Sequence, residues 1–356
     1  DLNIAFKILF FSLILDLSGK SGIRDYGLLI SLSFLILDKK NIFIKKELLT
    51  YFFVFIVYPT MLLLISSIED SLIYKTQFFS TVQIFIIFLV IQNYSYKVIL
   101  NNFLQVIKVV QIAVLTLFIG NILEISFFEN ILTFLGKPYD GGYFGYLILG
   151  GMKFPQIYLK STLIFVFPAI HFFMKNDYKN SILSLSVLLV SISKAGFVLA
   201  LIAIIIYSLN KLSFKKVFFV FIIFTVLILS FGWYLDILMN ISDSYTAQKR
   251  VSQLDWFISY IANNPISFLF GQGFGHYFNV NGVIDFAIEL DHLDVIRKYG
   301  FVWFLIISFP FVLSILKFKK EINLAYPYLF LYIAVGTNPL LITNIFFIIL
   351  LNIWRV

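Results

Sequence analysis

The feature that most constrains this chain is its succession of apolar runs, which are separated by short polar breaks. A bilayer core requires roughly 20 apolar residues per helix. Runs near this length occupy residues 2–17, 23–37, 47–68, 76–93, 98–125, 156–174, 181–193, 196–210, 217–238, 293–316, 322–336 and 339–355. The sequence therefore predicts an all-α polytopic membrane protein with about twelve transmembrane helices, which form a single domain over residues 1–356.

The composition supports this class and excludes several kinds of site. The chain is 60% hydrophobic and 13% charged, whereas soluble domains are about half apolar and about a quarter charged. The first run lacks a small-residue cleavage site, so we expect a spanning helix there rather than a signal peptide. The absence of cysteine excludes disulfides, thiolate metal sites and cysteine nucleophiles. Since the sequence has no metal-binding motif either, we expect no metal and no other cofactor.

Basic residues mark one side of the predicted membrane protein. If all twelve runs span the bilayer, the lysines of every second break lie on the same side. Because basic loops stay in the cytoplasm, this pattern predicts that both termini are cytoplasmic. The two long breaks, residues 126–155 and 239–292, are then extracytoplasmic loops.

Residues 181–210 are compatible with one long helix or with two short ones. A single helix would place the lysines before and after it on opposite sides, whereas helices over 181–193 and 196–210 keep them on one side. Each short helix is about 21 Å long, less than a bilayer core of about 30 Å. The turn with Lys194 is then recessed, and a lysine there needs an anion or a water-filled cavity. The alternative is that Lys194 snorkels to the interface.

The second extracytoplasmic loop carries most of the residues that are suited to chemistry. Apolar residues recur at helical spacing from Ala247 to Asn263, which predicts an amphipathic helix along the membrane surface that ends before Pro265. Lys249 and Arg250 lie in its first turn, where a helix N-terminus favours anions. A glycine-rich turn over 271–275 follows. The loop then supplies two histidines and four acidic residues: His276, His292, Asp285, Glu289, Asp291 and Asp294.

Cations and a histidine at an outer membrane surface are typical of a site for a lipid diphosphate. Arginine binds phosphate oxygens in a bidentate manner, and a neutral histidine can accept a proton near physiological pH. The predicted diphosphate-binding residues are Arg250, Lys194, Arg297 and Lys249. Simpler interpretations stay open, because Arg297 and Lys298 are also suited to anchoring at the interface and a histidine at a helix start is often structural.

We expect His292 rather than His276 to be the general base. His292 begins a predicted spanning helix that fixes its position, whereas His276 lies in a glycine turn. Asp291, Asp294 and Glu289 lie within about one helical turn of His292. A nearby carboxylate can orient an imidazole and stabilise its protonated form.

Three motifs resemble the bacterial O-antigen polymerase and ligase superfamily of lipid-linked oligosaccharide transferases. The family has a hydrophobic run that ends in Ser-Arg and a small residue, which corresponds to residues 191–196 with Lys194 in place of arginine. The family next has an arginine followed by a helix with a tryptophan, which corresponds to Arg250 and Trp256. An Asn-Pro pair and a Phe-Gly-x-Gly turn follow, which correspond to Asn264, Pro265 and residues 268–275. Its helix-opening histidine and Tyr-Gly correspond to His292, Tyr299 and Gly300. The resemblance covers about residues 160–309.

The resemblance implies a bactoprenol-type GT-C glycosyltransferase fold and the activity of an O-antigen polymerase. Such an enzyme transfers a glycan from undecaprenyl diphosphate to the nonreducing end of a lipid-linked repeat unit, without metal. Arg250 and His292 would be catalytic, and the acceptor would be bound or oriented by His276, Asp291, Asp294 and Tyr299. The implied location is the bacterial inner membrane, with the active site on the periplasmic face. The expected partners are this lipid-linked oligosaccharide, membrane lipid and a chain-length regulator protein, with no nucleic acid.

Three other functions stay open, and one of them is a non-catalytic assembly protein, which could have the long loop but gives no reason for a recessed Lys194. A ligase that transfers the glycan to lipid A core belongs to the same superfamily, although Leu293 stands where ligases often have asparagine. A flippase for the same lipid would also have about twelve spans and basic residues in a cavity. A flippase does not need the long extracytoplasmic loop with its helix, glycine turn and histidines, and this favours the transferase.

Overall fold

The computed structural model describes residues 2–16, 22–38, 47–65, 71–136, 142–149, 152–210, 245–280, 282–285, 287–308, 322–336, 343 and 345–346. The predicted span 217–238 lies outside these residues, as does nearly all of the predicted span 339–355.

The described chain is predominantly helical, with two short pairs of antiparallel strands. The helices of the first part are α1 (Leu2–Leu15), α2 (Ile23–Asp38), α3 (Glu47–Phe52), a π-helical segment (Phe53–Val57), α4 (Tyr58–Ile65), α5 (Ser71–Ile91), α6 (Tyr96–Ile122) and α7 (Ser126–Gly136). A hairpin of β1 (Gly142–Leu149) and β2 (Met152–Leu159) follows. The later elements are a 3₁₀ turn (Thr162–Phe165), α8 (Val166–Met174), α9 (Tyr178–Val190), α10 (Lys194–Asn210), α11 (Tyr245–Asn263), α12 (Pro265–Phe270), β3 (Phe278–Val280), β4 (Val283–Asp285), α13 (Asp291–Tyr299), α14 (301–308) and α15 (Ile322–Val335).

One helix of the described residues, α6, is long and apolar enough to cross a bilayer, with 27 residues and a mean hydropathy of 2.1. Eight further apolar helical segments in the described part contain 10–17 residues each. The expected fold class is therefore confirmed in its coarse form, as a mainly α-helical chain. The twelve spans and the GT-C architecture stay predictions.

The helices α9 and α10 are separate, as the two-helix interpretation of residues 181–210 predicts. The carboxylate of Asp177 caps α9 by accepting the backbone N–H of Asn180 at 3.3 Å. The helix ends where Ile192 adopts a left-handed φ of 55°. Lys194 is the first residue of α10, and its side chain lies outside the part of the chain that the structure describes. The recessed position of this lysine stays a prediction.

Three predicted elements differ from the structure. The helix predicted over 156–174 is wrong at its start, because the first residues belong to β2 and α8 begins only at Val166. The span predicted over 293–316 is interrupted at Gly300, whose φ of 89° ends α13 before α14 begins. The break over 126–155 contains α7, β1 and the first half of β2, since the aromatic and aliphatic residues of the two strands favour strand structure.

Two cores hold these elements together. In the main core, α1 packs against α2 and α6, and α8 packs against α9, α10 and α15. Phe103 of α6 joins the two groups, with ring centroids 5.4 Å from Phe10 and 6.1 Å from Phe167. A second, smaller core fixes α11 against the segment that leads into α13, and consists of Phe257, Phe278, Ile288 and Ile296.

The predicted amphipathic helix over 247–263 is confirmed as α11, which begins two residues earlier. Its apolar residues divide between two sides. Phe257 is buried in the smaller core, whereas Val251, Leu254 and Ile258 are exposed. The exposed side is compatible with the expected position along a membrane surface, which stays a prediction.

Candidate functional site

The glycine-rich turn after α12 closes the C-terminal end of α13. The last carbonyls of a helix lack partners within the helix. Here the backbone N–H of Gln272 donates to the carbonyl of Arg297 at 2.8 Å, and the N–H of Gly273 donates to that of Lys298 at 3.1 Å. The turn thus fixes the helix that carries His292.

Two glycines permit this close approach of backbones. Gly271 has a φ of 91°, and a Cβ at this position would lie 2.5 Å from the carbonyl oxygen of Lys298. A Cβ at Gly300 would overlap the backbone of Phe270. Close packing of backbones therefore accounts for glycine at these two positions.

Tyr58, which the sequence did not single out, stabilises the same junction. Its hydroxyl lies 2.8 Å from the carbonyl oxygen of Phe270 and 2.9 Å from that of Tyr299. Nearby, the indole N–H of Trp303 donates to the carbonyl of Val54 at 2.9 Å, within the π-helical segment. The rings of Tyr299 and Trp303 stack with centroids 4.3 Å apart. The signal that could have found this junction is the position of Tyr58 and Trp303 inside apolar runs, because a buried tyrosine or tryptophan usually needs a hydrogen-bond partner for its polar group.

The first ion-pair group of the site joins α11 to the segment before α13. Glu289 is bound through both oxygens, at 3.1 Å from Nε of Arg250 and 3.4 Å from Nζ of Lys249. Nζ of Lys249 also lies 2.8 Å from Asp285, and this hydrogen bond raises the pKa of Lys249. The backbone N–H of Glu289 donates to the side-chain oxygen of Gln253 at 2.9 Å. The two predicted phosphate ligands on α11 are thus brought together, with a carboxylate between them.

The second ion-pair group lies within α13 and is buried. Arg297 is 1% exposed and donates from Nε and Nη2 to one oxygen of Asp294, at 3.1 and 2.9 Å. Lys298 pairs with the other oxygen of Asp294. The guanidinium also lies 4.9 Å from the ring centroid of Phe278 and 3.4 Å from the carbonyl oxygen of His276. The interactions of Arg297 therefore hold the loop to α13, and a diphosphate would have to displace several of them.

His292 lies at the start of α13, as the sequence predicts, but its surroundings are aromatic. Its ring centroid is 4.8 Å from that of Tyr332 and 5.6 Å from that of Phe304. A Cβ at Gly336 would overlap the imidazole, so this glycine provides the space for the ring. The Nε2 atom is buried and has no hydrogen-bond partner among the described residues.

The environment of His292 favours its neutral form. Burial lowers its pKa to about 4, and a hydrogen bond to the backbone of Tyr332 acts in the opposite direction. The expected orienting carboxylates are not among these causes, since Glu289 and Asp294 pair with cations. The prediction that a carboxylate orients His292 is therefore not supported by the geometry.

The remaining predicted acceptor residues lie around α13. Tyr299 is buried against Trp303, and His276 is buried in the turn before β3. Asp291 is also buried, and its backbone N–H donates to the carbonyl of Gly336 at 3.1 Å. These positions tie α13 to its neighbours, and their role toward an acceptor stays a prediction. In the described part of the chain, no three histidine or acidic side chains are grouped in a way that could hold a metal ion.

Comparisons of the chain with protein families, with curated proteins and with solved structures gave no match. The resemblance to the O-antigen polymerase and ligase superfamily therefore stays a prediction from the motifs.

Proposed function

We propose that this chain is an integral membrane glycosyltransferase of the O-antigen polymerase type, with its site on the periplasmic face of the bacterial inner membrane. Large apolar side chains are exposed on several helices, which favours a lipid environment over water. Examples are Leu29, Phe34, Leu37, Leu64, Val109 and Ile112. The order of the motifs supports the transferase within this class.

The observation that carries the proposal is the arrangement of Arg250 and Lys249 around Glu289. The two cations contact both oxygens of one carboxylate, at 3.1 and 3.4 Å. Two phosphate oxygens of a lipid diphosphate present the same charge at a comparable spacing, and arginine is suited to bind them. We infer that Glu289 occupies the cations before the donor binds and that the diphosphate displaces it.

The proposed reaction needs charge neutralisation and one proton acceptor. The acceptor hydroxyl oxygen forms a bond to the anomeric carbon of the donor, and the bond from that carbon to the diphosphate oxygen breaks. The lipid diphosphate leaves with the bonding electrons, and Arg250 and Lys249 stabilise its charge. His292 takes the hydroxyl proton. Its pKa of about 4 makes it a weak base, so the proposal requires the diphosphate to bind close enough for its negative charge to raise that pKa.

Deletion of the gene in its own bacterium tests this function. Loss of a polymerase should leave a single repeat unit on lipid A core, as seen when the lipopolysaccharide is separated by gel electrophoresis. Loss of a ligase or a flippase should leave lipid A core without any repeat unit. Unchanged long chains after the deletion would refute all three functions.

A further inference from the structure

The β1–β2 hairpin has two faces of different character. Its inner face is apolar and packs against the main core, with Ile157 and Leu159 buried. On the same face, the hydroxyl of Tyr146 donates to the side-chain oxygen of Asn121 at 2.7 Å, which anchors the hairpin to the end of α6. The hairpin is thus a supported element whose other face points outward.

The outer face carries a pair of tyrosines beside a gap. Tyr143 and Tyr158 are directly opposite each other in the register, and their ring centroids lie 6.0 Å apart with an interplanar angle of 35°. Tyr143 is 65% exposed. The next pair on this face is Gly145 and Gln156, and a Cβ at Gly145 would meet no atom within 4 Å. Two aromatic rings therefore border an open space, with an amide across from it.

This combination fits a sugar ring better than a lipid chain. A pyranose has a face of C–H groups, which are attracted to the negative face of an aromatic ring, and a rim of hydroxyls. The amide of Gln156 supplies both donors and an acceptor, and the tyrosine hydroxyls supply more. An acyl chain would leave these polar groups without partners. Toward the hairpin turn, the register continues this face with the apolar pairs 147 and 154, then 149 and 152, so the sugar site is confined to the end with the two tyrosines.

We propose that the outer face of the β1–β2 hairpin binds the glycan, with a pyranose ring stacked on Tyr143 and Tyr158 and its hydroxyls bonded to Gln156. The proposal rests on the proposed function, since the predicted extracytoplasmic side is where a lipid-linked glycan would be. Binding here, away from Arg250 and His292 in the chain, would hold sugars of the donor or the acceptor while the diphosphate occupies its own site.

Saturation-transfer difference NMR on the purified full chain tests this site. The protein is kept in a detergent without a sugar headgroup, and the probes are the methyl glycosides of glucose, galactose, mannose, rhamnose and N-acetylglucosamine. We expect ring C–H signals for at least one probe. Tyr143→Ala together with Tyr158→Ala should weaken its binding by about tenfold or more, because two ring contacts are lost.

Two further variants separate binding from folding. Tyr26→Ala is the matched control, since Tyr26 is 72% exposed on α2, and it should bind the probe as the parent does. Gly145→Val fills the gap while both tyrosines remain, and a β-branched residue suits a strand. It should also weaken binding by about tenfold.

The outcomes distinguish this site from the proposed function. No signal from any probe, or equal binding by the parent and the Gly145→Val variant, would overturn the glycan site. Quenching by brominated lipids of a fluorophore attached to a Tyr143→Cys variant in vesicles, without any sugar signal, would assign the face to the membrane interface and also overturn it. A sugar signal in a protein whose deletion leaves long chains intact would instead refute the polymerase and retain the glycan site.

Discussion

At the scale of single residues, the sequence predicted which side chains gather but not how they pair. Lys249 and Arg250 were predicted to bind the diphosphate and Glu289 to lie beside His292, whereas in the structure Glu289 pairs with both cations. The pairing of Arg250 with Glu289 spans 39 residues and depends on how the loop folds, which local spacing does not determine. The aromatic rings around His292 belong to α14 and α15. Because these helices are distant in the sequence, the residues next to His292 did not predict its aromatic environment.

The ion pair around Glu289 yields a prediction for donor affinity. Glu289→Gln removes the charge that competes with a diphosphate, so KM for the lipid-linked donor should fall about two- to fivefold, as expected for a partly exposed pair. Asp255→Asn is the matched control, because Asp255 is exposed on α11, the helix that carries Lys249 and Arg250, and the KM of this variant should not change. A higher KM for Glu289→Gln would show that the carboxylate assists binding.

The neutral state of His292 yields predictions for activity and for pH dependence. His292→Ala should lose chain extension by about 100- to 10,000-fold while it still binds the donor.

The pKa of His292 is about 4 in the fold, below its ordinary value of 6.5. The unfolded chain therefore binds more protons between these values, and stability falls as pH decreases from 6.5 toward 4.

Between pH 6.5 and pH 4, the melting temperature of His292→Gln should fall less than that of the parent protein. Thermal unfolding in detergent measures this difference. Identical pH profiles for the two proteins would contradict the buried neutral imidazole, and normal chain length in His292→Ala would remove it from the mechanism.

At the scale of elements, prediction succeeded where a helical period or a charge pattern was present. The period of residues 247–263 predicted α11, and the lysines around 181–210 predicted two helices there. The β1–β2 hairpin was not predicted, because its strands consist largely of apolar and aromatic residues without clean alternation. The interruption at Gly300 was not predicted either, since it results from contact with the distant Gly271.

That contact can be tested with two glycines of similar conformation. Gly271→Ala adds a Cβ against the backbone of Lys298 at a φ of 91°, whereas Gly282→Ala adds one at a φ of 82° where nothing lies within 4 Å. Left-handed φ alone costs about 1–2 kcal/mol. We expect Gly271→Ala to reduce the free energy of unfolding by about 1–3 kcal/mol more than Gly282→Ala, because it also separates the turn from α13. Equal losses in chemical denaturation would show that the close approach contributes nothing.

At the scale of the whole molecule, helical content was predictable from composition, but membrane topology requires the order and number of all the spans. Short apolar helices such as α8 and α9, with 9 and 13 residues, are below the roughly 20 residues of a full span. Two short helices such as α9 and α10 could together enter the membrane and return to the same side, or could cross it once as a pair. The side on which every later loop lies depends on which of these two arrangements holds. The predicted topology of the second half of the chain therefore depends on the lysines on both sides of α9 and α10.

Cysteine labelling tests this topology directly, because the chain has no cysteine of its own. Single cysteines at Lys137 and Asn279 should react with a membrane-impermeant maleimide added to intact spheroplasts, since both loops are predicted to be extracytoplasmic. Cysteines at Lys45, Lys215 and Lys319 should react only after the membrane is permeabilised, because basic loops stay inside. Lys215→Cys is the decisive variant, since it follows α10. Its reaction from the outside would mean that α9 and α10 cross only once together, and it would remove the reason to place Lys194 below the outer surface.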